Sequence, residues 1–169
     1  MRRLLLAALV LFGFVAAGCT TTSSNTGSAS GPGEAVVQRV VDGDTIVVSI
    51  AGRDERVRLI GVDTPESVDP RSPVQCYGKE ASAFTTQLLP PGTVVRLERD
   101  VEARDRFDRL LAYVYRVSDG LFVNFELARA GYAQVLTIPP NVAYAEEFRV
   151  AAAAARQAGS GLWRACPDA

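Results

Sequence analysis

Asp42, Asp44, Asp63 and Glu66 fall on two short turns, Asp42-Gly43-Asp44-Thr45 and Asp63-Thr64-Pro65-Glu66. The carboxylates of Asp44 and Asp63 and the backbone carbonyl of Thr64 are hard oxygen donors of the kind that hold Ca²⁺ or Mg²⁺. So few protein ligands leave water to complete the shell, and such a cation can polarise a phosphate oxygen while a water attacks. Glu66 is the nearest group to position or deprotonate that water. Arg58 and Arg109 can each offer a fork of N–H donors to a phosphodiester that gains negative charge as it becomes five-coordinate. The set as a whole suits phosphodiester hydrolysis. Taken singly, its members have blander uses: Asp-x-x-Glu is also a helix capping pattern, and Arg109 has Asp105 and Asp108 beside it to pair with. An acid–base pair of Asp63 and Glu66 would also serve a carbohydrate-active protein, but no aromatic sugar platform accompanies it and two arginines suit phosphate better.

These residues need elements to carry them. Val57 to Val62 has the composition of a buried strand, and Pro65, which lacks an N–H, ends its ladder. Along a fully extended strand Arg58 would stand at most about 17 Å from Asp63, less if the chain folds back. Upstream, Val36 to Val41 and Ile46 to Ile50 form a hairpin around the Asp42-Gly43-Asp44 turn, and Ala51-Gly52 leads into a third strand over Arg53 to Val62. Helical spacing marks Lys79 to Leu89, closed by Pro90-Pro91-Gly92. Two more strands follow, Thr93 to Val101 and Leu110 to Val117, joined by the charged stretch Glu102 to Arg109. Asn124 is a candidate cap for a short helix through Ala130. The alanine-rich stretch Val142 to Ala158 is a third helix with Tyr144, Phe148 and Ala152 on one stripe, after which Leu162 and Trp163 fold back as a latch. Five short strands with a helix between the third and fourth predict an α+β protein: an OB-fold, a five-stranded antiparallel β-barrel with three helices.

The chain has 169 residues, room for one domain with its own core. Its N-terminus has the layout of an export signal: Arg2 and Arg3, a wholly apolar stretch from Leu4 to Ala17, then Gly18-Cys19. Ala16-Ala17-Gly18-Cys19 resembles a bacterial lipobox, so residues 1–18 are expected to be a signal peptide and Cys19 the lipidated first residue of an exported cell-envelope lipoprotein. A soluble secreted protein is the alternative. Residues 19–33, rich in Thr, Ser and Gly, would be a flexible tether to a domain at 34–169. Without residues 1–18 the chain keeps 16 basic and 19 acidic residues, a net charge of −3. Any attraction to a polyanion must therefore be local, and a bound cation can reverse the local sign. With Cys19 lipidated, Cys76 and Cys166 remain as an even pair in an oxidising compartment, either bridged or as two free thiols. A bridge would stabilise by roughly 4 to 5 kcal/mol on the chain-entropy account. With no histidine and no Cys-x-x-Cys, zinc is disfavoured.

Four separated stretches carry a resemblance: Val41-Asp42-Gly43-Asp44-Thr45, Arg58 to Glu66, Tyr77-Gly78-Lys79-Glu80-Ala81-Ser82 and Arg109 to Tyr115. In order and content they are similar to the thermonuclease family, typified by staphylococcal nuclease, over about residues 36–163. The resemblance implies an OB-fold, Ca²⁺-dependent, monomeric endonuclease that cuts DNA and RNA, preferably single-stranded, to leave 3′-phosphate ends. It assigns Asp44, Asp63 and Thr64 to calcium, Glu66 to the base, and Arg58 and Arg109 to the phosphate; Asp42 would shape the pocket. Two departures stand out. Phe107-Asp108-Arg109 replaces the Tyr-Gly-Arg common in the family, which sets a carboxylate beside Arg109 while Arg106 and Phe107 remain as substrate contacts. Thr137 and Pro139 stand where typical members have tyrosines flanking the base, and each lost stack would weaken binding by roughly 1 to 3 kcal/mol. A non-catalytic OB-fold module that only binds nucleic acid is the alternative within the family.

Overall fold

The computed structural model describes residues 33–68, 70 and 73–166. The expected signal peptide, the tether up to residue 32 and Cys19 lie outside the described residues. Strand β1 (Glu34–Asp42) turns at Gly43-Asp44 into β2 (Thr45–Ile50), which turns at Ala51-Gly52 into β3 (Arg53–Leu59). A short β4 (Gly61–Asp63) precedes the loop to helix α1 (Gly78–Leu88). Next come β5 (Val94–Glu98), β6 (Leu110–Arg116), α2 (Val123–Arg129), β7 (Gln134–Leu136), α3 (Ala145–Gln157) and the single turn α4 (Leu162–Ala165).

Strands β1-β2-β3-β6-β5 close into a barrel, and β4 pairs with β7 beside it. The anticipated uniform antiparallel pairing fails at one seam, where β3 and β6 run parallel, Val57 opposite Leu110 and Arg58 opposite Leu111. The reason is topological: strands alternating in direction around a ring of five must break the alternation once. Strand β1 shifts register twice, between Val37 and Arg39 and between Val40 and Asp42, and its curved length pairs with both β2 and β5 to close the ring.

Inward-facing Val37, Ile46, Val48, Val57, Leu59, Val95, Ala112 and Val114 fill the barrel. Leu111, Tyr113 and Tyr115 share its outer side, where Tyr113 packs edge-on to Tyr144 and near Phe148 of α3. The long third strand anticipated from Arg53 to Val62 breaks at Ile60. There Gly61 takes φ +85°, and the Phe148 ring lies where any Cβ at this position would have to go. Asn124, expected as a helix cap, is instead fully buried. Its side chain accepts from Val114 N–H and donates to the carbonyls of Ile60 and Ala112, fastening the Ile60 break to β6. Helix α2 begins without any side-chain cap. Three helices were expected and a fourth, one-turn helix is added. Within it Leu162 is wholly buried and donates its N–H to the Gly131 carbonyl, as the latch predicts.

Candidate active site

A cleft of about 400 Å³ is lined by Asp42, Asp44, Thr45, Arg56, Arg58, Asp63, Thr64, Glu66, Gln75 and Arg109, among others. Three features of the fold assemble it. The β1–β2 turn places Asp42 and Asp44 at one barrel rim. The break at Ile60 folds Asp63 back over the end of β3, so that the extended-strand span of about 17 Å collapses to direct contact: Arg58 Nη2 lies 2.7 Å from Asp63 Oδ1. The parallel β3–β6 seam brings Arg109, which precedes the first residue of β6, to the same rim as Arg58.

Arg58 organises the acidic half. The same Nη2 that meets Asp63 lies 3.2 Å from Asp44 Oδ2, so the two carboxylates share one guanidinium nitrogen. Its Nη1 donates to the carbonyls of Leu59 at 2.8 Å and Val62 at 2.7 Å. Asp44 is further fixed by Thr45 Oγ1 at 3.0 Å, Thr64 N–H at 2.9 Å and Thr64 Oγ1 at 3.1 Å. Thr64 was singled out for its carbonyl, and here its N–H and hydroxyl also orient the neighbouring carboxylate. Asp42 accepts from Ser67 Oγ at 2.6 Å and Gly43 N–H at 2.9 Å, and the Glu66 carboxylate acts on it as a neighbouring negative charge. Glu66 accepts from Val68 N–H at 2.7 Å.

Arg109 is held differently. Its Nε donates to Asp105 Oδ2 at 2.7 Å, its Nη2 lies 2.7 Å from the same oxygen, and Asp105 Oδ1 accepts the N–H groups of Phe107 and Arg109. The sequence set both Asp105 and Asp108 beside Arg109, and the structure separates them. Asp108 adopts φ 62°, the left-handed conformation that glycine takes most readily, and its exposed carboxylate faces Arg104 at 3.5 Å. Asp105 is the partner. Arg104 fastens the loop by forking onto Glu55 of β3. Phe107 projects from the loop, 64 % exposed, with the guanidinium groups of Arg106 and Arg109 at 4.7 and 5.5 Å from its ring. Thr137 and Pro139 are exposed, and the adjoining groove carries Leu136, Ile138 and Phe107.

The electrostatics of the two halves differ in sign. Burial pushes the Asp42 carboxyl above its usual range, against the pull of its Ser67 and Gly43 hydrogen bonds and with the help of the Glu66 charge. Desolvation by the cleft walls likewise raises Asp63, although 56 % of its side chain is exposed; Arg58 opposes the rise, and the Asp44 and Glu66 charges add to it. At Asp105, burial alone would raise the carboxyl, but the Arg109 N–H, the Arg109 side chain and the Phe107 N–H outweigh it and hold the group below its usual value.

Acids that raise one another's affinity for protons make a site that a cation relieves, and every donor is a hard oxygen. The residues therefore fit a divalent ion of the Ca²⁺ or Mg²⁺ type. No three His, Cys, Asp or Glu side chains among the described residues form a ready cage, so such an ion would rest on Asp44 and Asp63 with water completing its shell. Cys76 and Cys166 are disulfide-bonded, with sulfurs 2.08 Å apart. One residue escaped the sequence reading: nothing marked Gln75, whose side-chain oxygen accepts the Glu66 N–H from nine positions away.

Comparison with known proteins agrees with this arrangement. The family model described as "Staphylococcal nuclease homologue" matches residues 56–165. The thermonuclease of Staphylococcus intermedius is 48 % identical over 128 residues, 76 % of this chain and 74 % of that protein. The chain belongs to the staphylococcal nuclease family. A second thermonuclease, from Staphylococcus hyicus, is 44 % identical over 127 residues, 75 % of this chain and 73 % of its own. Endonuclease YncB of Bacillus subtilis is 40 % identical over 129 residues, covering 75 % of this chain and 60 % of that protein. Membership makes the protein a hydrolase of the nuclease class. Arg58, Asp63, Thr64, Glu66 and Arg109 fall inside the segment matched by the family model, and Asp42 and Asp44 lie just before it.

Proposed function

We propose that the protein is a Ca²⁺-dependent endonuclease that hydrolyses DNA and RNA, single strands preferentially, and leaves 3′-phosphate ends. The observation that carries this reading is the convergence of Asp44, Asp63, Thr64, Glu66, Arg58 and Arg109, from three separate stretches of chain, on one cleft. Asp44 and Asp63, with the Thr64 carbonyl, would hold the ion, which would supply positive charge to a phosphate oxygen.

The protein's own groups do the rest. Glu66 orients the attacking water and takes its proton, a contribution of typically 10²- to 10⁴-fold. Arg109 leaves Asp105 for the phosphate, a trade of one charge-assisted pair for another, and its fork is then aimed at the oxygens that gain charge in the transition state. Arg58 serves the same phosphate while keeping Asp44 and Asp63 in register. Phe107 offers its exposed ring to a base and Arg106 its charge to a neighbouring phosphate; with no tyrosines at 137 and 139 the grip on the base is weak, and splayed single strands are preferred. We also propose that the protein is exported, anchored through lipidated Cys19, and works as a monomer, since one chain supplies every group in the cleft.

The test is cleavage of a labelled single-stranded oligonucleotide by the purified protein with Ca²⁺ and with EGTA, followed by end-group analysis of the products. Metal-dependent cutting to 3′-phosphates is expected; binding without cutting would mark a nucleic-acid-binding module instead. Mass spectrometry of the mature N-terminus tests the lipid on Cys19.

A further inference from the structure

Glu66 lies on the irregular stretch between β4 and α1, and three contacts fix its main chain. Its N–H donates to Gln75 Oε1 at 2.9 Å. Its carbonyl accepts the Gln75 N–H at 2.9 Å. Gly78, the first residue of α1, approaches so closely that a Cβ there would meet the Glu66 carbonyl oxygen at 2.6 Å and that of Pro65 at 3.0 Å. Residues 75–78 thus form a cradle around the main chain of a single residue.

The cradle has two supports. On one side α1 is tied to the acidic turn, because Thr85 Oγ1 donates to the Gly43 carbonyl at 2.6 Å. On the other, Cys76, next to Gln75, is bonded to Cys166, 90 residues away at the end of α4. Cys166 is buried, its N–H donates to the Leu162 carbonyl, and Leu162 sits in the interior. The bridge therefore fastens the loop bearing Glu66 to the packed C-terminal end of the molecule. The groups that hold Asp44 and Asp63, namely Arg58, Thr45 and Thr64, take no bond from the cradle.

We propose that Gln75 and the Cys76–Cys166 bridge are a positioning clamp for Glu66, so that the chemical step of the nuclease depends on an intact disulfide while metal and substrate binding do not. The proposal rests on the role given to Glu66 above. Displacing a catalytic group by 1 Å can cost on the order of 10²-fold in rate. Cys76 is exposed, so a dithiol can reach it. Two electrons and two protons convert the bridge to the Cys76 and Cys166 thiols as the dithiol becomes a disulfide, and a thiol-oxidising surrounding reverses the change. The enzyme would then run at full rate in an oxidising compartment and slowly in a reducing one.

The experiment measures kcat, KM and Ca²⁺ affinity of the full chain at 25 °C in five forms: oxidised wild type, wild type reduced with dithiothreitol, C76S/C166S, Q75A and Q75E. Circular dichroism on each sample monitors the barrel. The clamp predicts a 10- to 100-fold fall in kcat for the reduced, C76S/C166S and Q75A proteins, with KM and Ca²⁺ affinity unchanged. Q75E, which keeps an acceptor oxygen, should recover the rate, and reduction should slow Glu66→Gln no further. An unchanged kcat after reduction and in Q75A overturns the clamp, as does a loss of rate that follows KM, metal affinity or the folded signal. If the oxidised protein cuts nothing, the nuclease reading itself falls and the clamp with it; if it cuts and reduction changes nothing, only the clamp falls.

Discussion

The two arginines that line the cleft are held in opposite ways. Arg58, with 12 % of its side chain exposed, is part of the frame: it bonds two carboxylates and two main-chain carbonyls and joins the end of β3 to the chain that folds back over it. Arg109 stands on a loop and has one carboxylate partner, Asp105, on the same loop. A group that keeps two acids in place cannot leave them without cost, because a buried carboxylate stripped of its partner is destabilising by several kcal/mol. A group paired within its own loop can exchange that partner for a phosphate. One arginine therefore builds the site, and the other is free to serve the substrate.

Replacing each arginine by alanine should break the comparison if it is wrong. Both R58A and R109A are expected to lose about 10²- to 10³-fold in kcat, as for other donors aimed at developing charge. Only R58A should also lower the melting temperature clearly, since Asp44 is buried and would lose its Arg58 partner. Equal melting temperatures for the two variants would remove the distinction. Glu66→Gln, which takes away a proton acceptor, should lose about 10²-fold or more in kcat, read from a single-turnover assay beside a thermal melt.

Phe107→Ala should act on binding. The KM for a single-stranded oligonucleotide should rise by the roughly 1 to 3 kcal/mol that one base stack contributes, with kcat nearly constant. A fall in kcat alone would mean that the ring positions Arg109 rather than a base.

The smallest effect sharpens the comparison through pH. Asp63 is pushed above its ordinary value of 3.8, so the folded state binds its proton more tightly than the unfolded chain does, and its contribution to stability is lost as pH rises through that window. Asp105 is pulled below 3.8, so its contribution is present above that pH and is lost as pH falls toward the depressed value. In chelator, Asp63→Asn should therefore melt higher than wild type at neutral pH, and Asp105→Asn lower, with both differences shrinking in acid. Urea titrations at pH 3 and 7 test the signs, and Ca²⁺ should reverse the advantage of Asp63→Asn by restoring a counter-charge that the asparagine cannot use.

Much of this site was legible because its parts are local. Asp42 and Asp44 flank a hairpin turn that composition alone marks, and Asp63 to Glu66 follow an apolar run ended by proline. The barrel strands follow from alternating or continuous β-branched residues, and the Phe148 stripe follows from helical spacing. Asn124 misled because capping and buried bridging use the same amide chemistry, and only the neighbours decide between them. Asp108 misled for a similar reason: sequence adjacency to Arg109 does not fix direction, and a left-handed backbone at Asp108 turns its carboxylate toward Arg104.

The sequence by itself determined the inventory, since the oxygen donors, guanidinium groups and paired cysteines are set by residue type, and short-range periodicity sets the strands and helices that carry them. Only the tertiary structure decided their partners. The parallel β3–β6 seam, the break at Gly61 under the Phe148 ring and the Gln75 cradle of Glu66 each depend on contacts between residues far apart in the chain. Such contacts form where closing a five-membered ring of strands and filling its flank leave one low-energy arrangement, and no local pattern encodes that closure.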